Sequence, residues 1–176
     1  KYFRKAVKNS KGKLKAQTIY SLGYLLIRKE EELNEVSRLI SGFKKTEGEL
    51  PLRLKFIEGR LLCAEGKFKK TMEIVEEELK KDLSPEMRRH FLTLGGLATQ
   101  QNEEHEEAIR YFQECIDIAR EEKDKLHEAM FMNNKGFSLF LIDRHREALE
   151  ELEESLSVST KLKIGHFEYY CLLNLS

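Results

Sequence analysis

A glycine in a similar apolar context returns along this chain at an almost constant interval, and that period constrains the fold more than any other feature. The contexts are SLG at Gly23, IEG at Gly59, LGG at Gly96 and NKG at Gly136, separated by 36, 37 and 40 residues. A further 40 residues reach Ser176, preceded by Asn174 as Gly136 is preceded by Asn134. Periods of about 20 to 50 residues mark arrays in which one supersecondary unit stacks on the next. A small residue at each anchor lets two helix backbones approach, while larger side chains fill the space beside them.

The inner spacing repeats as well. Gly96 to Ala108 and Gly136 to Ala148 are each 12 residues, in the similar phrases HEEAIRYFQECI and HREALEELEESL. The same step lands on Thr71 after Gly59 and on Glu35 after Gly23, so selection for a small residue fades toward the amino end. Ala108, Ile109, Phe112, Cys115, Ile116 and Ala119 recur at steps of three and four, which places them on one helix face. Ala, Glu, Lys, Leu and Arg make up 92 of the 176 residues against 2 Pro and no Trp, a profile of long helices that excludes a β-sandwich. Pro51 and Pro85 read as helix starts, with Ser84 as an N-cap. The expected helices are about 14–29, 31–46, 51–65, 67–81, 85–101, 104–122, 125–142, 145–161 and 165–176.

Several classes of function lose support at this level. Lys and Arg number 31 and Asp and Glu 31, so the overall balance argues for neither nucleic acid nor a membrane surface as partner. Cys63, Cys115 and Cys171 stand far apart without CxxC spacing, which gives neither a disulfide framework nor a zinc site and fits a reducing cytoplasm. No stretch approaches the apolar length of a membrane span, and no signal segment opens the chain.

LTLGGLATQQNEEHEEAIRYFQECIDIA and MNNKGFSLFLIDRHREALEELEESLSVS resemble the tetratricopeptide repeat family, whose helix pairs carry a small residue and a second one twelve later. The 40-residue spacing is similar to the longer repeats of kinesin light chains, bacterial peptide-sensing regulators and the sensor arms of large transcriptional activators. The chain departs from the pattern at Glu35 and Thr71, and at Glu103 and Asp143, which stand where the turn glycine is usual; Gly66 keeps it. The resemblance implies an all-α superhelix of stacked antiparallel helix pairs forming one domain over 1–176. It has repeats at 14–46, 51–82, 85–122 and 125–161 and partial repeats at 1–12 and 165–176. Tyr2-Phe3-Arg4-Lys5-Ala6-Val7 mirrors Tyr111-Phe112-Gln113-Glu114-Cys115-Ile116, so the chain is expected to be an internal piece of a longer array. Leu172, Leu173 and Leu175 would then lack a covering helix, and dimerisation through the terminal helices is expected.

No catalytic constellation stands out. His105 and His145 occupy one repeat position 40 residues apart, which reads as packing at a helix start rather than as a metal pair. The acidic runs, Glu76-Glu77-Glu78 and Glu150-Glu151 among them, read as solvated helix faces, and the lysines from Lys5 to Lys15 likewise. Gly95-Gly96 lies inside a helix and is no phosphate cradle, and Cys63 and Cys115 read as small core residues. The expectation is therefore no enzyme, no cofactor and no metal.

In the family the first helix of each repeat lines the concave face. Carried onto this chain, that geometry points inward Gln17, Tyr20, Tyr24 and Arg28, then Arg53, Phe56, Arg60 and Cys63. From the third repeat it points His90, Thr93, Leu97, Gln100 and Gln101, and from the fourth Met130, Asn133, Asn134, Phe137, Phe140 and Leu141. Aromatic anchors among amide and guanidinium donors suit an extended or helical peptide. The resemblance implies that Asn134 and its counterpart Asn174 bond a ligand backbone, since a carboxamide donates and accepts at once; a helix-to-helix bond is the alternative. His90 and Leu94 stand where a carboxylate clamp needs basic or amide residues, which disfavours a chaperone's acidic tail. The function expected is a cytoplasmic protein or peptide interaction module, the sensor or scaffold arm of a signalling or transcription-regulatory protein. A structural or oligomerisation arm without a groove ligand, and a non-catalytic support segment of a larger enzyme, are the alternatives.

Overall fold

The computed structural model describes residues 2–28, 32–163 and 174, and among them the protein is all-α, with nine helices and no strand. Two compact units divide the chain, Lys1–Lys81 and Asp82–Ser176. The first holds α1 (Tyr2–Asn9), α2 (Gly12–Arg28), α3 (Leu33–Glu47), α4 (Leu52–Ala64) and α5 (Phe68–Leu79). The second holds α6 (Pro85–Gln101), α7 (His105–Glu121), α8 (Lys125–Leu141) and α9 (His145–Lys161). The helices of the second unit fall within one residue of the expected bounds and α2 to α5 within two, whereas α1 lies in the expected partial repeat 1–12, to which no helix bounds are assigned. The expected helix 165–176, with Leu172, Leu173 and Leu175, lies outside the described residues except at Asn174.

Local chemistry sets these boundaries. Ser84 caps α6 by accepting from the Met87 amide at 3.4 Å, and Pro85 follows it at the first helical position. Pro51 sits one place earlier relative to its helix than expected, as the extended residue before Leu52 (ψ 152°). Asp124 caps α8 by accepting from the His127 amide at 3.2 Å.

The turns inside the helix pairs share one backbone device. Gly66, Glu103 and Asp143 all lie in the left-handed region, with φ of 71°, 64° and 62°. Only glycine adopts that region without a Cβ clash, which costs other residues about 1–2 kcal/mol. Part of the gain from glycine is returned as unfolded-chain entropy. Glu103→Gly and Asp143→Gly are each expected to stabilise the protein by about 0.5–1 kcal/mol, read as a rise of a few degrees in thermal midpoint. A fall in midpoint for both would show that the turns are held by their side chains instead.

The glycine anchors mark true crossings. A Cβ on Gly96 would stand 2.7 Å from the Phe112 ring, and one on Gly136 2.7 Å from Leu152 and 3.3 Å from the Ala148 carbonyl oxygen. Ala108 and Ala148 are themselves buried, so both members of each twelve-residue pair are small because the helices touch there. In the first unit Gly23 faces Ile57 and Val36, and Glu35, twelve residues on, is not among its nearest neighbours. Thr71 is tolerated at its crossing because its buried hydroxyl is satisfied, donating to the carbonyls of Gly59 (3.4 Å) and Lys67 (3.2 Å). Ile19, Leu54, Ile57 and Val75 form the interior of the first unit; Phe91, Leu92, Phe112, Ile116, Met132 and Leu139 form that of the second.

Candidate functional site

In the second unit, α8 buries one side and opens another. Ala129 packs with Leu156 and Val158, and Leu139 with Ile109 and Ala148, so the face carrying these residues is spent on the neighbouring helices. Met130, Asn134, Phe137 and Leu141 recur at steps of four, three and four on another face. Met130 and Leu141 are exposed there, Asn134 and Phe137 are half-buried, and Phe140 is half exposed and tilted against the His145 ring at 5.4 Å. The Asn134 carboxamide makes no hydrogen bond among the described residues.

The neighbouring amides are used differently. Gln100 reaches from α6 to α8, its amide nitrogen donating to the Asn134 carbonyl (3.2 Å) and to Ser138 Oγ (2.7 Å). Both its amide protons therefore tie two first helices together, and what it offers a ligand is its carbonyl oxygen. Asn133 is buried and accepts from the Asn174 carboxamide at 3.2 Å. Of the two asparagines 40 residues apart, Asn174 thus bonds a side chain of α8, while the Asn134 carboxamide has no partner among the described residues. On α6, His90 and Leu97 are half-buried and Gln101 is exposed. Thr93 is satisfied internally, its hydroxyl donating to the Arg89 carbonyl at 2.7 Å.

In the first unit the expected residues of α2 and α4 interleave. Arg53 lies over the Tyr20 ring at 5.3 Å and donates to Gln17 Oε1 at 3.3 Å. Arg60 lies over Tyr24 at 4.6 Å with Phe56 at 5.9 Å, and the Tyr20 and Tyr24 rings are 6.3 Å apart. The steps of three and four in both sequences bring the two arginines onto the tyrosines as α2 and α4 run side by side. Cys63 is buried, and that burial pushes its thiol up; Cys115, buried beneath Thr93, is pushed up to about 12. Neither is a thiolate at neutral pH. The side chain of Arg28 lies outside the described residues.

One carboxylate of the acidic runs, Glu78, contradicts the expectation that those runs are solvated, and a second, Glu128, is buried outside any run. Glu78 is 2% exposed and holds Lys55 at 3.0 Å and Lys81 at 2.6 Å, whereas Glu76 and Glu77 of the same run are exposed. Its position was legible, because Glu78 continues the buried steps Thr71 and Val75 at a spacing of four and three. Glu128 is likewise buried, on the stripe of Met132 and Gly136. Burial alone would raise its pKa, but hydrogen bonds from Lys125 and Arg120 hold it below the ordinary carboxylate value. Glu151 is half-buried and accepts from Lys135 at 2.5 Å. In the first unit a cleft of about 290 Å³ opens where Lys44, Leu50 and Ile74 meet Lys55 and Glu78, but its ammonium groups are already paired, Lys44 with Glu58 and Lys55 with Glu78.

Among the described residues no three His, Cys, Asp or Glu side chains are grouped to hold a metal, and no helix is long and apolar enough to cross a membrane. His105 and His145 each open a second helix. The balanced charge hides an asymmetry between the units. Residues 1–81 carry 20 Lys and Arg against 12 Asp and Glu, and residues 82–176 carry 11 against 19.

Residues 86–161, which span α6 to α9, match the family model of the tetratricopeptide repeat. A search of the curated proteins found no match.

Proposed function

We propose that this chain, a tetratricopeptide repeat protein through residues 86–161, binds an extended or helical partner segment on the first-helix faces of its repeats. Repeats of this family generally mediate protein–protein interaction and are typically non-catalytic. The observation that carries the reading is Asn134, whose carboxamide is open among the described residues and sits between Met130 and Phe137 on a partly exposed stripe. A half-buried amide that can both donate and accept satisfies a peptide backbone, and the apolar groups beside it exclude water from that bond. The four repeats 14–46, 51–82, 85–122 and 125–161 are read as one array. It serves as the sensor or scaffold arm of a cytoplasmic signalling or transcription-regulatory protein, without catalytic residues of its own.

An Asn134→Ala, Phe137→Ala double variant of unchanged helicity, used beside the wild type to capture partners from lysate, tests this. The expected result is a captured protein depleted about tenfold or more by the variant, since truncating a central anchor costs about 2 kcal/mol. Equal capture by both proteins would move recognition off this stripe and favour a scaffold or oligomerisation arm.

A further inference from the structure

The α2–α4 face of the first unit carries a second, chemically distinct anchor. We propose that Arg60, seated on Tyr24 and Phe56, receives a side-chain carboxylate from an acidic segment of a partner protein. The inference rests on the first-helix faces being binding surfaces and names the chemistry that one of them takes.

The guanidinium carbon lies over the Tyr24 ring, 4.6 Å from its centroid, and 5.9 Å from that of Phe56, contacts that use the charge of the group. Neither ring accepts a conventional hydrogen bond, so these contacts do not consume the N–H donors, whose fork is the part that matches a carboxylate. Arg89, Arg120 and Arg144 spend their forks on Glu122, Glu128 and Glu147 at 2.7–2.8 Å. Arg60 makes neither a hydrogen bond nor an ion pair among the described residues. Arg60 is half-buried between the two rings, which restricts its side chain and reduces the entropy lost when a carboxylate binds.

Charge complementarity identifies the occupant. The sequence of α2 contains no acidic residue, and the one acid of α4, Glu58, is held by Lys44 at 2.7 Å. Nothing anionic on these two helices competes for the fork, and the unit as a whole carries an excess of cations. The exposed edge of Tyr24 adds apolar contact beside the ion pair, which a carboxylate-bearing protein segment fills and a free inorganic anion does not.

Fluorescence anisotropy at low salt with a fluorescein-labelled hexaglutamate peptide, capped at both ends so that only side-chain carboxylates are offered, tests the proposal on the whole chain. Wild type is expected to bind saturably and to ignore the matching hexaglutamine peptide. Arg60→Gln is expected to weaken binding at least fivefold, and Arg60→Lys, which keeps the charge but not the fork, at least threefold. Lys45→Gln, an equal charge change at an exposed residue of α3, is expected to weaken it less than twofold. No saturable binding by the wild type, or equal weakening by Lys45→Gln and Arg60→Gln, overturns the proposal. So does low-salt self-association in the ultracentrifuge that Arg60→Gln abolishes, because the occupant would then be the acidic unit of a second copy. Since Asn134 and Phe137 are untouched here, capture insensitive to their substitution would leave this titration standing, and the two readings fail separately.

Discussion

Gly96→Val is expected to destabilise the second unit by about 3 kcal/mol, lowering its thermal midpoint by roughly 10 °C or more. A Cβ at this position already stands 2.7–3.0 Å from three atoms of the Phe112 ring, before either valine methyl is added. Phe112 is fully buried, so the ring has no open space to retreat into, and the helices must separate or the side chains leave their rotamers. The internal comparison is Gly42 in α3, where a Cβ would meet nothing within 4 Å. Gly42→Ala is expected to change stability in the opposite direction, because only the helix preference of alanine, about 1 kcal/mol, operates there. Circular dichroism melts of the two variants decide the matter. A Gly96→Val protein that melts with the wild type would mean that the crossing is not close packed.

The ease of reading each part of this molecule follows from how many constraints its residues share. The second unit was legible almost to the residue because Gly96 with Ala108, and Gly136 with Ala148, encode the same crossing twice at a spacing of 40. The first unit encodes it less strictly. Gly23 meets Val36 instead of Glu35, and Thr71 enters its crossing by bonding to the Gly59 carbonyl, a solution that small-residue spacing does not anticipate. Pairings across helices were not legible either. That Gln100 would reach Ser138, or Asn174 would reach Asn133, depends on side-chain placement between residues far apart in the sequence. The stacking of Arg53 on Tyr20 and of Arg60 on Tyr24 was half visible, as two sets of residues assigned to one face. Their contact was not. Glu78 was misread because residue type outweighed period: it sits on a buried stripe, but a glutamate in an acidic run reads as surface until its cations are in place, and Glu128, isolated on another buried stripe, drew no reading at all.

Phe112→Ala is expected to cost about 4 kcal/mol on its own, the largest single effect at this crossing. The phenyl ring is fully buried beneath Gly96, and α7 is held on both sides, against α6 and against α8, so the hole it leaves cannot close by moving the helix outward. The same geometry makes the two substitutions dependent on each other. In the Gly96→Val, Phe112→Ala double variant the valine methyls enter space that the ring has vacated, so the overpacking that drives the first loss disappears and part of the cavity is filled. The double variant is therefore expected to be more stable than the sum of the single losses by at least about 1 kcal/mol, within the range found for contacting residues. Urea unfolding of the wild type, both singles and the double measures that difference directly. Simple additivity would show that Gly96 and Phe112 act on stability separately, and that the glycine is required for some reason other than the ring above it.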